Sequence, residues 1–151
     1  MKPSRIAATA LAVAVLGFAA VTLTALESAS VAVLLTTSET GAVRRTRVWF
    51  AEENGAYWIE SATAERPFYR DLERTPALEM EIRDGPPFVR VNTIRGQASL
   101  VPEPGGHQKI RSLLARKYGW ADRWVAMLQD TSGSRAVRIV PEPAATLHSA
   151  G

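Results

Sequence analysis

The chain has 151 residues, no cysteine, and 18 lysines and arginines against 15 aspartates and glutamates, for a net charge of +3. Without cysteine, disulfides, thiolate catalysis, iron–sulfur clusters and cysteine zinc sites are excluded. Apart from Lys2, Arg5 and Glu27, which flank the apolar first segment, the chain carries 16 basic and 14 acidic residues, a near balance that does not support a nucleic-acid footprint.

Residues 1–30 read as an N-terminal hydrophobic anchor. Ile6 to Leu26 holds 21 residues without a charge, about 30 Å as a helix, which matches the hydrocarbon core of a bilayer. The basic start Met1 to Arg5 and the small residues Ser28-Ala29-Ser30 also fit a signal peptide, cleaved to leave a secreted protein; a buried core helix is the third alternative. Lys2 and Arg5 against Glu27 favour the N-terminus inside, although Arg44, Arg45 and Arg47 on the other flank weaken that orientation.

Residues 31–143 then make one globular domain, and 144–151 a loose tail. Val31 to Thr37 is a β-branched apolar run, a strand bounded by the polar turn SETGA. The next strand starts near Val43, where Arg44 to Phe50 alternates: Arg45, Arg47 and Trp49 share one face, Arg44, Thr46, Val48 and Phe50 the other. Asn54-Gly55 marks a hairpin, because both residues tolerate positive φ, and Ala56 to Ala62 is the returning strand. Pro67 opens a helix of one or two turns, FYRDLER, which Thr75-Pro76 closes.

Ala77 to Arg83 sets Leu78, Met80 and Ile82 against Glu79, Glu81 and Arg83, the pattern of a half-buried strand. The turn 84–87 leads into a long strand, Phe88 to Val101, bent at Gly96 by a bulge or a barrel corner. Gly105-Gly106 reads as a loop, with neither the strand nor the spacing of a phosphate-binding fingerprint. His107 to Gly119 is a helix with Ile110, Leu113, Leu114 and Lys117 on one face, and Asp122 to Leu128 a second in which Trp124, Met127 and Leu128 align. Arg135 to Val140 closes the set. Six antiparallel strands around one core close into a small barrel, which removes exposed edges.

Two isolated histidines, His107 and His148, are too few for a metal cluster and read as solvent-exposed; neither is aimed by its context at a serine. The acidic residues give no local support for a paired-carboxylate mechanism. Arginines and aromatics remain. RRTRVWF could grip a phosphate bidentately and wall a planar ring, or leave Arg44 or Arg45 in water with Trp49 in the core. Tyr118, Trp120 and Trp124 read as helix packing before a stacking platform.

The stretches TTSETGAVRRTRVWFAEENGAYWIESA, PFYRDLERTPALEMEI, RKYGWADRW and RAVRIVPEP, within Val31 to Pro143, together resemble the nitroreductase and quinone reductase family related to deazaflavin-dependent nitroreductases. The broader class is the flavin-binding split barrel that includes pyridoxamine phosphate oxidases. The resemblance implies a mainly β, α+β fold, a six-stranded split β-barrel of the FMN-binding type, with an N-terminal transmembrane or signal helix in front. It implies coenzyme F-420, a deazaflavin, or FMN as cofactor, the cofactor itself performing hydride transfer. Arg45, Thr46 and Arg47 are then phosphate-binding candidates, and Ser61, Ala62 and Thr63 approach the ring through backbone groups. Pro67, Tyr69 and Arg70 border the pocket, while Lys117, Tyr118 and Trp120 close the substrate side. The sequence departs from the family pattern at Phe68 and at Ala64.

The expected function is a membrane-anchored oxidoreductase acting on a quinone-like or nitroaromatic acceptor, with a homodimer implied by the resemblance. The rival expectations are a non-catalytic split-barrel module holding flavin, haem or another ligand at the membrane, and a tethered domain that works by protein contacts.

Overall fold

The computed structural model describes residues 3–27, 30–83 and 91–143, with side chains for 9–24, 30–82 and 91–143. A first helix, α1 (Pro3–Glu27), precedes strands β1 (Val31–Thr37), β2 (Val43–Glu53) and β3 (Ala56–Ser61). Helix α2 (Pro67–Arg74) leads to β4 (Ala77–Arg83) and β5 (Val91–Leu100); α3 (Gly105–Tyr118), α4 (Trp120–Leu128) and β6 (Arg135–Pro141) follow. All strand pairs are antiparallel, in the order β1-β2-β3-β6-β5-β4, and β4 returns to β1 to close a barrel.

Local chemistry accounts for the corners. Asn54 and Gly55 take φ of 52° and 71°, the doubly positive turn that matches strand twist, and this sets Glu53 opposite Ala56. Gly96 sits where β5 passes from β4 to β6, opposite both Leu78 and Pro141. A Cβ there would fall 2.7 Å from the Val140 carbonyl oxygen, so only glycine lets the strands approach this closely. The turn 84–87, the start of the long strand at Phe88, and the tail with His148 lie outside the described residues.

Alternation fills the barrel. Leu34, Phe50, Ile59, Met80, Val137 and Ile139 point inward, and α2 lays Phe68, Tyr69 and Leu72 against the same core. On the outside, Ala51, Trp58 and Ala136 pack under Ile110, Leu113 and Leu114 of α3. Each fully buried aliphatic side chain contributes about 1.5–3 kcal/mol of transfer free energy.

Three expectations are corrected. Gly105-Gly106 is the first turn of α3, with Gly106 pressed against the Val101 backbone, where a Cβ would stand 2.9 Å from its oxygen. The inner stripe of α3 ends on Tyr118 and not on Lys117, whose ammonium stays at the water edge, 3.2 Å over the Phe50 ring, as a charged tip on an apolar stem does. In α4 the residues turned to the barrel are Ala121 and Asp122, while Met127 is 74% and Leu128 46% exposed. The stripe exists, but beyond Trp124, which is half-buried against the cluster under α3, it faces outward, because the Arg111 guanidinium draws Asp122 inward with both carboxylate oxygens at 2.7 Å.

Helix α1 forms and meets the domain at α4: the Trp124 indole N–H donates to Thr22 Oγ1 (3.1 Å), and the Phe18 and Trp124 rings lie 5.5 Å apart. Among the described residues no helix is long and apolar enough to cross a membrane, so the expected span has no support in the fold.

Candidate functional site

The barrel is not sealed along β2. Residues 43–49 of β2 pair with β1 alone, whereas β3 joins β2 only from Phe50 to Glu53 and then continues along β6 through Glu60 and Ser61. A strand paired on one edge leaves backbone N–H and C=O groups on the other edge open to a ligand. The split widens into a pocket of about 440 Å³, inside the usual size range of small-molecule sites. Its walls are β2 from Arg44 to Trp49, Glu60 and Ala62 at the end of β3, Arg66, Pro67 and Phe68 at the start of α2, Arg111, and the stretch from Val125 to Ser134.

Five arginines line this pocket against two acids, Glu60 and Asp130. Three are neutralised. The Arg44 Nε donates to Asp71 Oδ2 (2.7 Å), Arg45 Nη2 reaches over β1 to Glu81 (2.7 Å), and Arg111 holds Glu60 (3.0 Å) as well as Asp122. Arg47 and Arg66 are exposed and carry no ion pair among the described residues. Two guanidiniums without ion pairs, in one lining with half-buried Trp49 and the edge of buried Phe68, can grip an anion next to aromatic surface.

Behind Arg44 the barrel end is plugged by Asp71. This carboxylate, 1% exposed, also accepts from Thr36 Oγ1 (3.0 Å) and Arg74 Nη2 (2.9 Å). The cluster fixes α2, and with it Arg66, Pro67 and Phe68, against the mouth of the split.

Of the residues expected at the site, the pocket gathers Arg45, Thr46, Arg47, Ala62 and Pro67. Ser61 is buried and donates its hydroxyl to the Thr63 carbonyl (2.7 Å), and Thr63 lies off the lining. Tyr69 is in the core, with its phenol pKa raised by burial, and Arg70 points to solvent. Lys117 lines a separate cavity with Ser30, Phe50 and Asn92; Trp120 is exposed on α4. Tyr118 is 8% exposed, stacks on Trp49 at 4.5 Å, and serves the backbone: its hydroxyl accepts from the Phe50 N–H (3.1 Å) and lies 2.7 Å from the Ser30 and 2.9 Å from the Phe50 carbonyl oxygens. Burial pushes its pKa up to about 12 against the Phe50 bond, which lowers it, so the phenol is protonated and occupied.

Sequence reasoning missed Glu60, Arg66, Arg111 and Ser134. One oxygen of Glu60, Oε1, is buried at this wall with no hydrogen-bond partner among the described residues. His107, expected to be a solvent-exposed spectator, shares a 2.8 Å hydrogen bond between its Nδ1 and the Oγ of Ser134, which is 1% exposed. No acid is bonded to the imidazole among the described residues, so the pair is not a triad. No group of three His, Asp or Glu residues that could hold a metal ion occurs among the described residues.

No protein-family model and no curated protein matches the chain. Solved structures do. The chain is similar to the conserved hypothetical protein Rv2991 from Mycobacterium tuberculosis, with 22% identity, 78% of this chain and 76% of that chain covered, and a TM-score of 0.60. It is similar to a putative pyridoxamine 5'-phosphate oxidase from Listeria innocua, at 21% identity over 80% and 90% of the two chains, TM-score 0.57. An F-420 reductase matches at 23% identity over 76% and 87%, TM-score 0.57. At these identities the likeness is one of fold, and the fold is the six-stranded split β-barrel of pyridoxamine phosphate oxidase-like proteins.

Proposed function

We propose that this protein is an oxidoreductase that binds a flavin-type cofactor, coenzyme F-420 or FMN, in the split, and passes a hydride to a quinone-like or nitroaromatic acceptor. The observation that carries the reading is the pair Arg47 and Arg66, two cations without an ion pair among the described residues, in one pocket lining with Trp49 and Phe68. The residues fit such a group. A phosphate would neutralise the arginines, a planar ring would cover the aromatic wall, and a ring N–H or a sugar-chain hydroxyl would give Glu60 Oε1 the donor it lacks. That a structural neighbour is an F-420 reductase supports redox chemistry on this scaffold.

When bound, the cofactor supplies the hydride chemistry. The chain would hold and shield it. Arg47 and Arg66 would take phosphate oxygens in charge-assisted bonds, and the open edge of β2 would offer backbone groups to the ring. Phe68 and Trp49 would keep water from the reacting face. Tyr118 and Tyr69 are protonated, as burial raises both phenols, and both lie off the lining of the split. The reading also takes α1 as a lipid anchor that keeps the barrel near membrane-soluble acceptors.

The test is turnover: the full chain is mixed with reduced coenzyme F-420 or reduced FMN and menadione or a nitroaromatic, and cofactor oxidation is followed. Protein-dependent oxidation lost on Arg47→Ala supports the reading. Saturable binding without oxidation replaces it with a non-catalytic binding module.

A further inference from the structure

The outward stripe of α4 asks for a cover. Trp120, Trp124, Met127 and Leu128 fall at i, i+4, i+7 and i+8, one helical face, and Trp120, Met127 and Leu128 are 51%, 74% and 46% exposed. Trp124 is engaged on two sides, by Phe18 and Thr22 of α1 and by the cluster under α3. α1 continues the same surface: Leu11, Val13, Leu16 and Leu23 are each more than half exposed. With Val15, Phe18 and Val21, also exposed, these positions point to all sides of the helix at 100° per residue. A second protein surface covers one fixed side of such a helix, whereas lipid fits itself to whatever apolar surface the helix presents.

Three further observations favour lipid over a second copy. The hydroxyls of Thr22 and Thr24 donate back to the carbonyls of Phe18 (2.9 Å) and Ala20 (2.8 Å), so these polar groups ask nothing of an apolar medium. Tryptophan at the edge of an apolar face is the side chain suited to the headgroup layer. Arg123 is exposed on α4, and in sequence Lys2 and Arg5 precede the apolar run, a charge pattern that complements anionic lipid.

We propose that α4 is itself a lipid contact, its stripe lying with α1 in the surface of a bilayer, so that the split takes its acceptor directly from the lipid beside α4. The link is geometric: Val125 of α4 and the residue that caps it, Gln129, line the split, which places the outward stripe and part of the pocket wall on one short helix. The route for the acceptor rests on the redox reading of the split; the lipid contact of α4 does not.

The experiment uses the full chain and vesicles of phosphatidylcholine with phosphatidylglycerol, some carrying a doxyl-labelled lipid that quenches tryptophan. Quenching should fall clearly in Trp120→Phe. Met127→Glu with Leu128→Glu, both at exposed positions, should weaken vesicle binding by about tenfold or more. The double variant should also slow reduction of a long-chain quinone embedded in the vesicles, with cofactor affinity and menadione reduction in solution unchanged. Vesicle binding with identical quenching in Trp120→Phe and no effect of the two glutamates would put α4 in water and overturn the proposal. So would concentration-dependent dimerisation without vesicle binding, which would make a second copy the cover. Quenching at Trp120 in a protein that binds no cofactor would uphold the lipid contact and overturn the acceptor route together with the redox reading.

Discussion

Replacing Tyr118 with phenylalanine removes one oxygen and keeps the ring that stacks on Trp49 at 4.5 Å. That oxygen accepts from the Phe50 N–H and donates to one of two carbonyls, Ser30 or Phe50. Two bonds at about 1 kcal/mol net each give a loss of about 2 kcal/mol, because the phenylalanine leaves buried backbone groups unpaired. For a domain of this size the melting temperature should fall by roughly 8 °C. The pH dependence has a definite sign. The folded pKa is raised from 10.0 to about 12, so the unfolded chain releases the phenolic proton first. The contribution is fully present below pH 10 and is lost as pH rises toward 12, by about 2–3 kcal/mol over that window. Urea unfolding of both proteins at pH 7 and across pH 10 to 12 tests this, with cofactor affinity measured alongside. Equal stabilities at pH 7, or a large loss of cofactor affinity in a stable Tyr118→Phe protein, would refute the backbone-tying role and return Tyr118 to the substrate side.

Two more substitutions probe the frame of the split. Asp71→Ala takes the acceptor from the buried Thr36 hydroxyl and from two half-exposed arginines; since the arginines can rehydrate, the loss should be about 2–3 kcal/mol and not the full cost of orphaned buried charge, read as a lower urea midpoint. Gly96→Ala places a methyl 2.7 Å from the Val140 oxygen and should cost about 1–3 kcal/mol, with calorimetry as the check. An unchanged midpoint in either would contradict the packing described at that position.

How much of this was legible in the sequence varies with the range of the signal. The hairpin at Asn54-Gly55, the corner at Gly96 and the inner face of β4 follow from neighbouring residues, and β1 from Val31 to Thr37 appears in the fold as expected. Helical period told which residues of α4 share a stripe, but nothing local told on which side the barrel lay; the contact of Arg111 with Asp122, 11 residues apart, decided that. The split itself was visible only through resemblance. Arg66, Glu60, Arg111 and Ser134 come to it from α2, β3, α3 and the approach to β6, and no spacing joins them before the barrel closes. Arg45 looked equivalent to Arg47 along the strand, and only the position of Glu81 two strands away separates the paired arginine from the unpaired one. The same holds for His107, whose partner Ser134 is 27 residues on.

The central claim is that Arg47 and Arg66 grip the phosphate of a flavin-type cofactor. Titration of the full chain with coenzyme F-420 and with FMN, followed by tryptophan quenching, tests it most directly. Saturation by one of them is expected, weakened about 10- to 100-fold by Arg47→Ala or by Arg66→Ala as a charge-assisted bond worth about 1.5–3 kcal/mol is lost, with Arg45→Ala much milder because that side chain already holds Glu81. No binding of either cofactor, or binding indifferent to Arg47 and Arg66, would contradict the account.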